Sequence, residues 1–202
     1  MTVLFDSGSC HTWIRSVNSG TVFTSVPYDF RESSTYEPLA KTFSETYAAC
    51  RISGRYMKEA ITVAQFYCVH FTTQPVQIGE VMVQGVILAE AFEQSGACSQ
   101  TRPFDGIFGL CLSSKTPETE PTIFEQLYKH GTFDTAVFSI WFKPPTNHQY
   151  QGQASMIFGV VRRSGLTGEA VSFKMQSKTY LWTFNIGGVR SQFGRAVFNT
   201  EI

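Results

Sequence analysis

The chain has 202 residues, of which 43% are hydrophobic, 14% aromatic and only 16% charged. This composition excludes a disordered chain, because the apolar surface is large enough to offset the entropy of ordering the backbone. The 16 basic residues balance the 16 acidic residues. Zero net charge removes the electrostatic attraction on which non-specific nucleic-acid binding and anionic-membrane binding mostly depend, so we expect neither partner.

Short β-type runs separated by turn-forming residues dominate the chain. Residues 60–64 and 81–88 are rich in β-branched residues and predict strands. Helical periodicity is confined to residues 121–131, where Ile123, Phe124 and Leu127 share one face. The polar stretch 143–152 predicts a hairpin loop. We therefore predict a mainly β fold with one or two short helices.

Neither a membrane span nor a leader sequence can be read from the chain. The longest apolar runs, such as residues 155–161, fall far short of the roughly 18–20 residues that cross a bilayer. Residues 1–6 lack the basic and apolar stretches of a signal peptide. We therefore expect no membrane contact.

The cysteines and histidines do not predict a metal site. The five cysteines contain no CxxC pair, and the four histidines contain no HExxH spacing. The cysteines form no obvious disulfide framework either, and their odd number leaves at least one free thiol or an intermolecular partner. We interpret Cys10 as a small packed residue, because no histidine is placed to activate it as a nucleophile. No cofactor is predicted.

The chemistry begins where a hydrophobic strand, residues 3–5, delivers Asp6 into a Ser-Gly-Ser turn. By itself an Asp-Ser-Gly sequence is more often an ordinary turn with a capping side chain. Further segments follow it in chain order: Phe-Arg-Glu-Ser-Ser-Thr-Tyr at 30–36, Phe-Ser-Glu-Thr-Tyr at 43–47 and Pro-Phe-Asp-Gly-Ile-Phe-Gly-Leu at 103–110. With these segments the chain resembles the pepsin-like aspartic proteases.

The resemblance implies a pepsin-like acid-protease β-barrel lobe, in which residues 103–110 thread beside the loop that carries the catalytic Asp. It also implies roles for individual residues. Asp6 is the candidate catalytic carboxylate, and the candidate supporting and substrate-binding residues are Ser7, Gly8 and Ser9 in the catalytic loop, Tyr47 in the β-hairpin flap that folds over substrate, and Trp13 and Phe104 in the cleft. The flap departs from the family pattern, because alanine and cysteine replace its glycines at 48 and 50.

Such enzymes need a second carboxylate, because one acid must be ionised as a base while the other is protonated. The resemblance assigns residues 1–160 to an N-terminal lobe without its first strands, and residues 161–202 to the incomplete beginning of a second lobe. Within it, residues 180–189 resemble a strand, and residues 196–201 stand where the second catalytic loop is expected, so Asn199 occupies the second-Asp position. An amide is neutral and cannot exchange the proton. If the segment is instead unrelated, Asn199 is an ordinary turn residue.

Three hypotheses follow from the resemblance. The first is an aspartic endopeptidase that cleaves peptides or proteins at acid pH, of which this chain is a truncated and inactive or feeble member. The second is a non-catalytic homologue that binds peptides or a partner protein. The third is a site made by two copies that each supply Asp6, although the residues after about 162 would crowd the partner. The family implies a monomer in a secreted or vacuolar, lysosome-like compartment.

Overall fold

The structure is a computed structural model that describes residues 1, 3–19, 27–47, 50–64, 80–96, 104–112, 120–143, 153–163, 168–176, 179–186, 188–190 and 196–199. Strands make up most of it. They are β1 (Val3–Asp6), β2 (Trp13–Arg15), β3 (Glu37–Tyr47), β4 (Cys50–Ala64), β5 (Glu80–Gly96), β6 (Gly106–Gly109), β7 (Phe138–Lys143), β8 (Gln153–Phe158), β9 (Gly188–Arg190) and β10 (Ala196–Asn199). The predicted mainly β fold is confirmed.

Six strands form one mixed sheet in the order β1-β6-β2-β5-β4-β3. Strand β6 is parallel to β1 and antiparallel to β2, so it lies between two strands that are neighbours in sequence. Strands β3, β4 and β5 pair as long antiparallel neighbours. The predicted strands at 60–64 and 81–88 lie within β4 and β5, so both predictions are confirmed.

The helix α1 (Ile123–Lys129) forms within the segment that the periodicity predicts. Thr122 and Glu125 form a capping box at its start, in which each side chain accepts a hydrogen bond from the other residue's backbone N–H. Gly131 follows its end with a φ of 72°, a conformation that glycine adopts without steric cost. Two short 3₁₀ turns, Val17–Ser19 and Phe30–Glu32, are the other helical elements of the described residues.

Two apolar clusters pack on opposite faces of the large sheet. Adjacent residues of one strand enter different clusters, as do Trp13 and Ile14 in β2 and Leu88 and Ala89 in β5, because strand side chains alternate between faces. The cluster with Ile14 and Leu88 is covered by α1 and β8. The cluster with Trp13 and Ala89 lies on the face that β3 also lines, and this face carries the candidate site.

Strands β7 and β8 pair as an antiparallel hairpin, and residues 144–152 of the predicted loop between them lie outside the described residues. The segment predicted as a strand from 180 to 189 differs from expectation, because residues 179–186 are irregular and β9 begins only at Gly188. The backbone N–H of Gln176 donates to the carbonyl of Thr183, which links this segment to residues 168–176. Both segments expose large apolar side chains, namely Val171, Phe173, Tyr180, Trp182, Phe184 and Ile186.

Candidate active site

Asp6 lies at the carboxyl end of β1, where the chain turns through Ser7 and Gly8 toward β2. The backbone N–H of Gly8 donates a hydrogen bond of 2.9 Å to Asp6 Oδ1. Asp side chains commonly stabilise turns in this way, by accepting from the backbone two residues ahead. Asp6 is half-buried, whereas Ser7 and Gly8 are exposed. The loop therefore fixes the carboxylate and leaves it partly accessible.

Strand β6 supports the Asp6 loop through backbone hydrogen bonds. Asp6 pairs with Gly109 in the parallel register of β1 and β6. The N–H of Leu110 donates to the carbonyl of Asp6 at 2.8 Å, and the N–H of Cys111 donates to the carbonyl of Ser9 at 3.0 Å. The described part of the 103–110 motif thus threads beside the loop, as the resemblance predicts.

A close approach and a disulfide bond fix the same loop. A Cβ at Gly109 would lie 2.5 to 2.7 Å from backbone atoms of Cys10 and His11, so only glycine allows β6 to come this near to the loop. Cys10 forms a disulfide bond with Cys111, 101 positions later. The interpretation of Cys10 as a merely packed residue is therefore wrong, because burial beside the end of β6 brings two thiols together.

Trp13 and Tyr47 contact each other across the site. Trp13 is 1% exposed, and its Nε1 donates a hydrogen bond of 2.9 Å to the Tyr47 hydroxyl. Tyr47 ends β3, so this bond joins the β3–β4 turn to the strand that follows the Asp6 loop. Burial raises the pKa of Tyr47 to about 12, although the Trp13 hydrogen bond acts in the opposite direction. Phe104 is half-buried and packs against the same cluster as Tyr47.

His11 makes a second contact between the Asp6 loop and the strand that leads to Tyr47. Its Nε2 lies 2.9 Å from Glu45 Oε2 in β3. Its Nδ1 lies 2.8 Å from the hydroxyl of Tyr56 in β4. No local sequence pattern connects His11, Glu45 and Tyr56, so their contacts could not be predicted from the sequence.

The Phe-x-x-Ser-Ser-Thr-Tyr segment supports the sheet rather than the site. Glu59 in β4 is 6% exposed and accepts hydrogen bonds from the hydroxyls of Tyr28, Ser33 and Thr35, with the Ser33 bond at 2.7 Å. Desolvation acts to raise the pKa of Glu59, but these hydroxyl donors outweigh it and the pKa is lowered. The segment is thus held to β4 by a buried carboxylate.

The comparisons agree with this geometry. Residues 1–201 match the family model described as eukaryotic aspartyl protease. The chain belongs to this family. It is 26% identical over 192 residues to aspartic proteinase oryzasin-1 of Oryza sativa, covering 93% of this chain and 34% of that protein. It is 27% identical over 188 residues to cathepsin D of Dictyostelium discoideum, covering 90% of this chain and 44% of that protein.

A third relative is vacuolar protease A of Neurospora crassa, 24% identical over 180 residues, with 88% of this chain and 40% of that protein covered. The chain therefore spans less than half the length of each of these aspartyl proteases. Family membership supports the mainly β, pepsin-like fold, and the roles of single residues in this chain are inferred from its own geometry.

Hydrogen bonds and strand pairing connect the elements that carry four of the predicted site residues, Asp6, Ser9, Trp13 and Tyr47. Asn199 ends β10 and pairs with Gly188 in β9. Residues 200–202 and the Asn199 side chain lie outside what the structure describes, so the relation of Asn199 to Asp6 stays a prediction.

The described residues hold neither a candidate metal site nor a candidate membrane-spanning helix. They contain no group of three or more His, Cys, Asp and Glu side chains that could hold a metal ion. They also contain no helix that is long and apolar enough to cross a membrane.

Proposed function

We propose that this chain provides one half of an aspartic endopeptidase site, with Asp6 as one of the two carboxylates that act on a water molecule. The observation that carries this proposal is the threading of β6 between β1 and β2, which presents Asp6 at a strand end opposite the Tyr47 turn. The substrate is a peptide or protein chain lying between Asp6 and Tyr47. Ser7, Gly8 and Ser9 hold the loop, Phe104 lines the cleft, and the buried Trp13 holds Tyr47 through its Nε1 hydrogen bond.

The chemistry sets a requirement that Asp6 cannot meet alone. Two carboxyl groups about 3 Å apart cannot both ionise, so one serves as the base that activates water and the other donates a proton to the peptide carbonyl. Asn199 at the second position would keep the shape of an aspartate without its proton exchange. We therefore propose that this chain, as given, hydrolyses peptides feebly or not at all.

The proposed second half begins near residue 161. Support for this division comes from the burial pattern, because the described residues between 171 and 186 expose six large apolar side chains, namely Val171, Phe173, Tyr180, Trp182, Phe184 and Ile186. Trp182 also donates a hydrogen bond from Nε1 to the carbonyl of Leu110 at 2.7 Å, which joins this segment to the end of β6. The proposed protein acts as a monomer.

The proposed compartment is secretory, extracellular or vacuolar. The Cys10–Cys111 disulfide supports it, because disulfides persist in oxidising compartments. The printed name of the Neurospora relative, vacuolar protease A, also supports it.

The test of the proposed chemistry is cleavage of an unfolded protein substrate at about pH 3–5, where aspartic dyads work. Four proteins are compared: the wild type, Asp6→Asn, Asn199→Asp and the double variant. We expect negligible turnover from the wild type and an increase of at least about 100-fold for Asn199→Asp, because general acid–base catalysis typically contributes this much. Asp6→Asn should abolish the gained activity.

Wild-type turnover that pepstatin and Asp6→Asn both abolish would contradict the assignment of Asn199, since a competent second acid must then exist elsewhere. A second candidate function, peptide binding without hydrolysis, is favoured by the intact Trp13–Tyr47 contact, which does not depend on a second carboxylate. Pepstatin binding to the wild type without turnover, together with no gain for Asn199→Asp, would support that candidate.

A further inference from the structure

The ion pair between His11 and Glu45 spans the two elements that the proposed cleft needs. His11 lies in the loop that carries Asp6, and Glu45 lies in β3 two residues before Tyr47. Because strand side chains alternate, Phe43, Glu45 and Tyr47 face the same side of β3. The His11 ring contacts the Phe43 ring on that side, with 5.3 Å between the ring centroids. The ion pair and the Trp13–Tyr47 bond therefore lie along one face.

Both ring nitrogens of His11 have partners. Nε2 lies 2.9 Å from Glu45 Oε2, and Nδ1 lies 2.8 Å from the Tyr56 hydroxyl. The His11 side chain is 15% exposed and that of Glu45 is 27% exposed. Partial burial strengthens such a pair relative to a fully exposed one, because solvent screens it less. We call His11, Glu45 and Tyr56 the His11 cluster.

The charged surroundings of the His11 cluster come from three elements. Lys41 in β3 lies over the Tyr56 ring at 5.2 Å and forms an ion pair of 2.8 Å with Glu120, which precedes α1. Burial, followed by the charges of Glu120 and Glu45, raises the pKa of Tyr56, so its hydroxyl stays protonated. The charge of Asp6, which lies in the same loop as His11, acts on Tyr47. Among these charged groups, Glu45 is the one that contacts the His11 imidazole directly.

From this geometry we infer that His11 is a positioning residue, which holds the β3 strand against the Asp6 loop through Glu45. The inference rests on the proposed function only in taking the end of β3 at Tyr47 as one side of the cleft. Two contacts then set the distance between this strand end and the Asp6 loop, namely the Trp13–Tyr47 hydrogen bond and the His11–Glu45 ion pair.

The test is a double-mutant cycle on His11→Asn and Glu45→Gln, read by amide hydrogen exchange of residues 45–47 in the full chain. We expect each single variant to lower protection about tenfold at mildly acid pH, because a partly buried charged hydrogen bond contributes about this much. The double variant should lose no more than either single variant, since both remove the same interaction. If His11→Asn does not fold, His11→Gln takes its place in the cycle.

Glu37→Gln provides the matched control. Glu37 also lies in β3 and pairs with Lys58 in β4 at 2.7 Å, but it is 60% exposed and distant in sequence from Tyr47. It should leave protection of residues 45–47 unchanged. Losses that add independently in the double variant, or an equal loss in Glu37→Gln, would each overturn the inference.

Pepstatin affinity separates this inference from the proposed function. If the wild type binds pepstatin, His11→Asn and Glu45→Gln should each weaken binding by about the same factor. If the wild type does not bind pepstatin, the proposed cleft is wrong, and the exchange cycle still decides whether His11 holds β3.

Discussion

Replacing Gly109 by alanine tests whether the close approach of β6 to the Asp6 loop is essential to the fold. The added Cβ would lie 2.5 Å from the carbonyl carbon of Cys10 and 2.7 Å from the carbonyl oxygens of Cys10 and His11. Non-bonded carbon atoms pack at about 3.5–4.0 Å, so the loop would have to move by about 1 Å. The Cys10–Cys111 disulfide and the hydrogen bond from Cys111 N–H to Ser9 oppose that movement.

We expect Gly109→Ala to lower the free energy of unfolding by about 3 kcal/mol, which is the upper part of the range for overpacking a rigid site. This lowers the ratio of folded to unfolded protein about 100-fold. Equilibrium urea unfolding, followed by tryptophan fluorescence, measures it. Gly168→Ala is the control, because a Cβ there meets nothing within 4 Å and its φ is not in the left-handed region. Equal unfolding midpoints for the two variants would refute the contact argument.

Three further predictions concern single contacts of the site and its support. Tyr47→Phe removes the hydrogen-bond acceptor of the buried Trp13 Nε1 and should lower the free energy of unfolding, measured by thermal denaturation, by about 1–2 kcal/mol. In an ultraviolet titration of the wild type, one tyrosine, Tyr47, should ionise only at a pH of about 12. The pKa of Glu59 is lower in the folded protein than in the unfolded chain, so its ionised carboxylate stabilises the fold above the unfolded pKa. This stabilisation is lost as the pH falls through the pKa of the folded protein. The difference in urea midpoint between the wild type and Glu59→Gln should therefore decrease on acidification. Replacing both Cys10 and Cys111 by serine removes a cross-link between residues 101 positions apart and should lower the free energy of unfolding by about 2–5 kcal/mol, measured by urea unfolding without a reducing agent.

Local patterns in the sequence predicted the elements that depend on local physics. Residues 121–131 carry an amphipathic face, a capping box and a glycine stop, and α1 forms within them with Ile123 and Leu127 buried. The resemblance predicted the threading of β6, because residues 103–110 match a motif whose glycines make close approach possible. Neither the local patterns nor the resemblance gives the distances between side chains on which the chemistry of the site depends.

The contacts that escaped prediction join residues far apart in sequence. His11 and Glu45 are 34 positions apart, and Cys10 and Cys111 are 101 positions apart, so no periodicity connects them. A signal for the disulfide was nevertheless present. Cys10 follows the Asp6 turn and Cys111 follows the motif that was expected to thread beside that turn, so the resemblance already implied that the two cysteines are neighbours.

The irregular segment before β9 shows why strand-like composition was insufficient there. Residues 180–186 alternate aromatic and smaller side chains, as a half-buried strand does, but a strand also requires a partner for its backbone groups. Among the described residues, Leu112 N–H donates to the carbonyl of Tyr180 and Gln176 N–H donates to that of Thr183. These two bonds come from different segments, so they do not build a continuous ladder.

The groups that hold Asp6 in place are separate from residue 199, which would supply the second catalytic acid. The groups that hold Asp6 are backbone atoms and glycines of the β1 turn and β6, and none of them depends on whether residue 199 ionises. Asparagine and aspartate have nearly the same shape, so Asn199→Asp should change turnover with little effect on stability. Its free energy of unfolding in urea should stay within about 0.5 kcal/mol of the wild type, as for a substitution outside a buried network. A large loss of stability in Asn199→Asp would mean that the amide is itself a buried hydrogen-bond donor, and residue 199 would then be a structural position instead of a lost catalytic one.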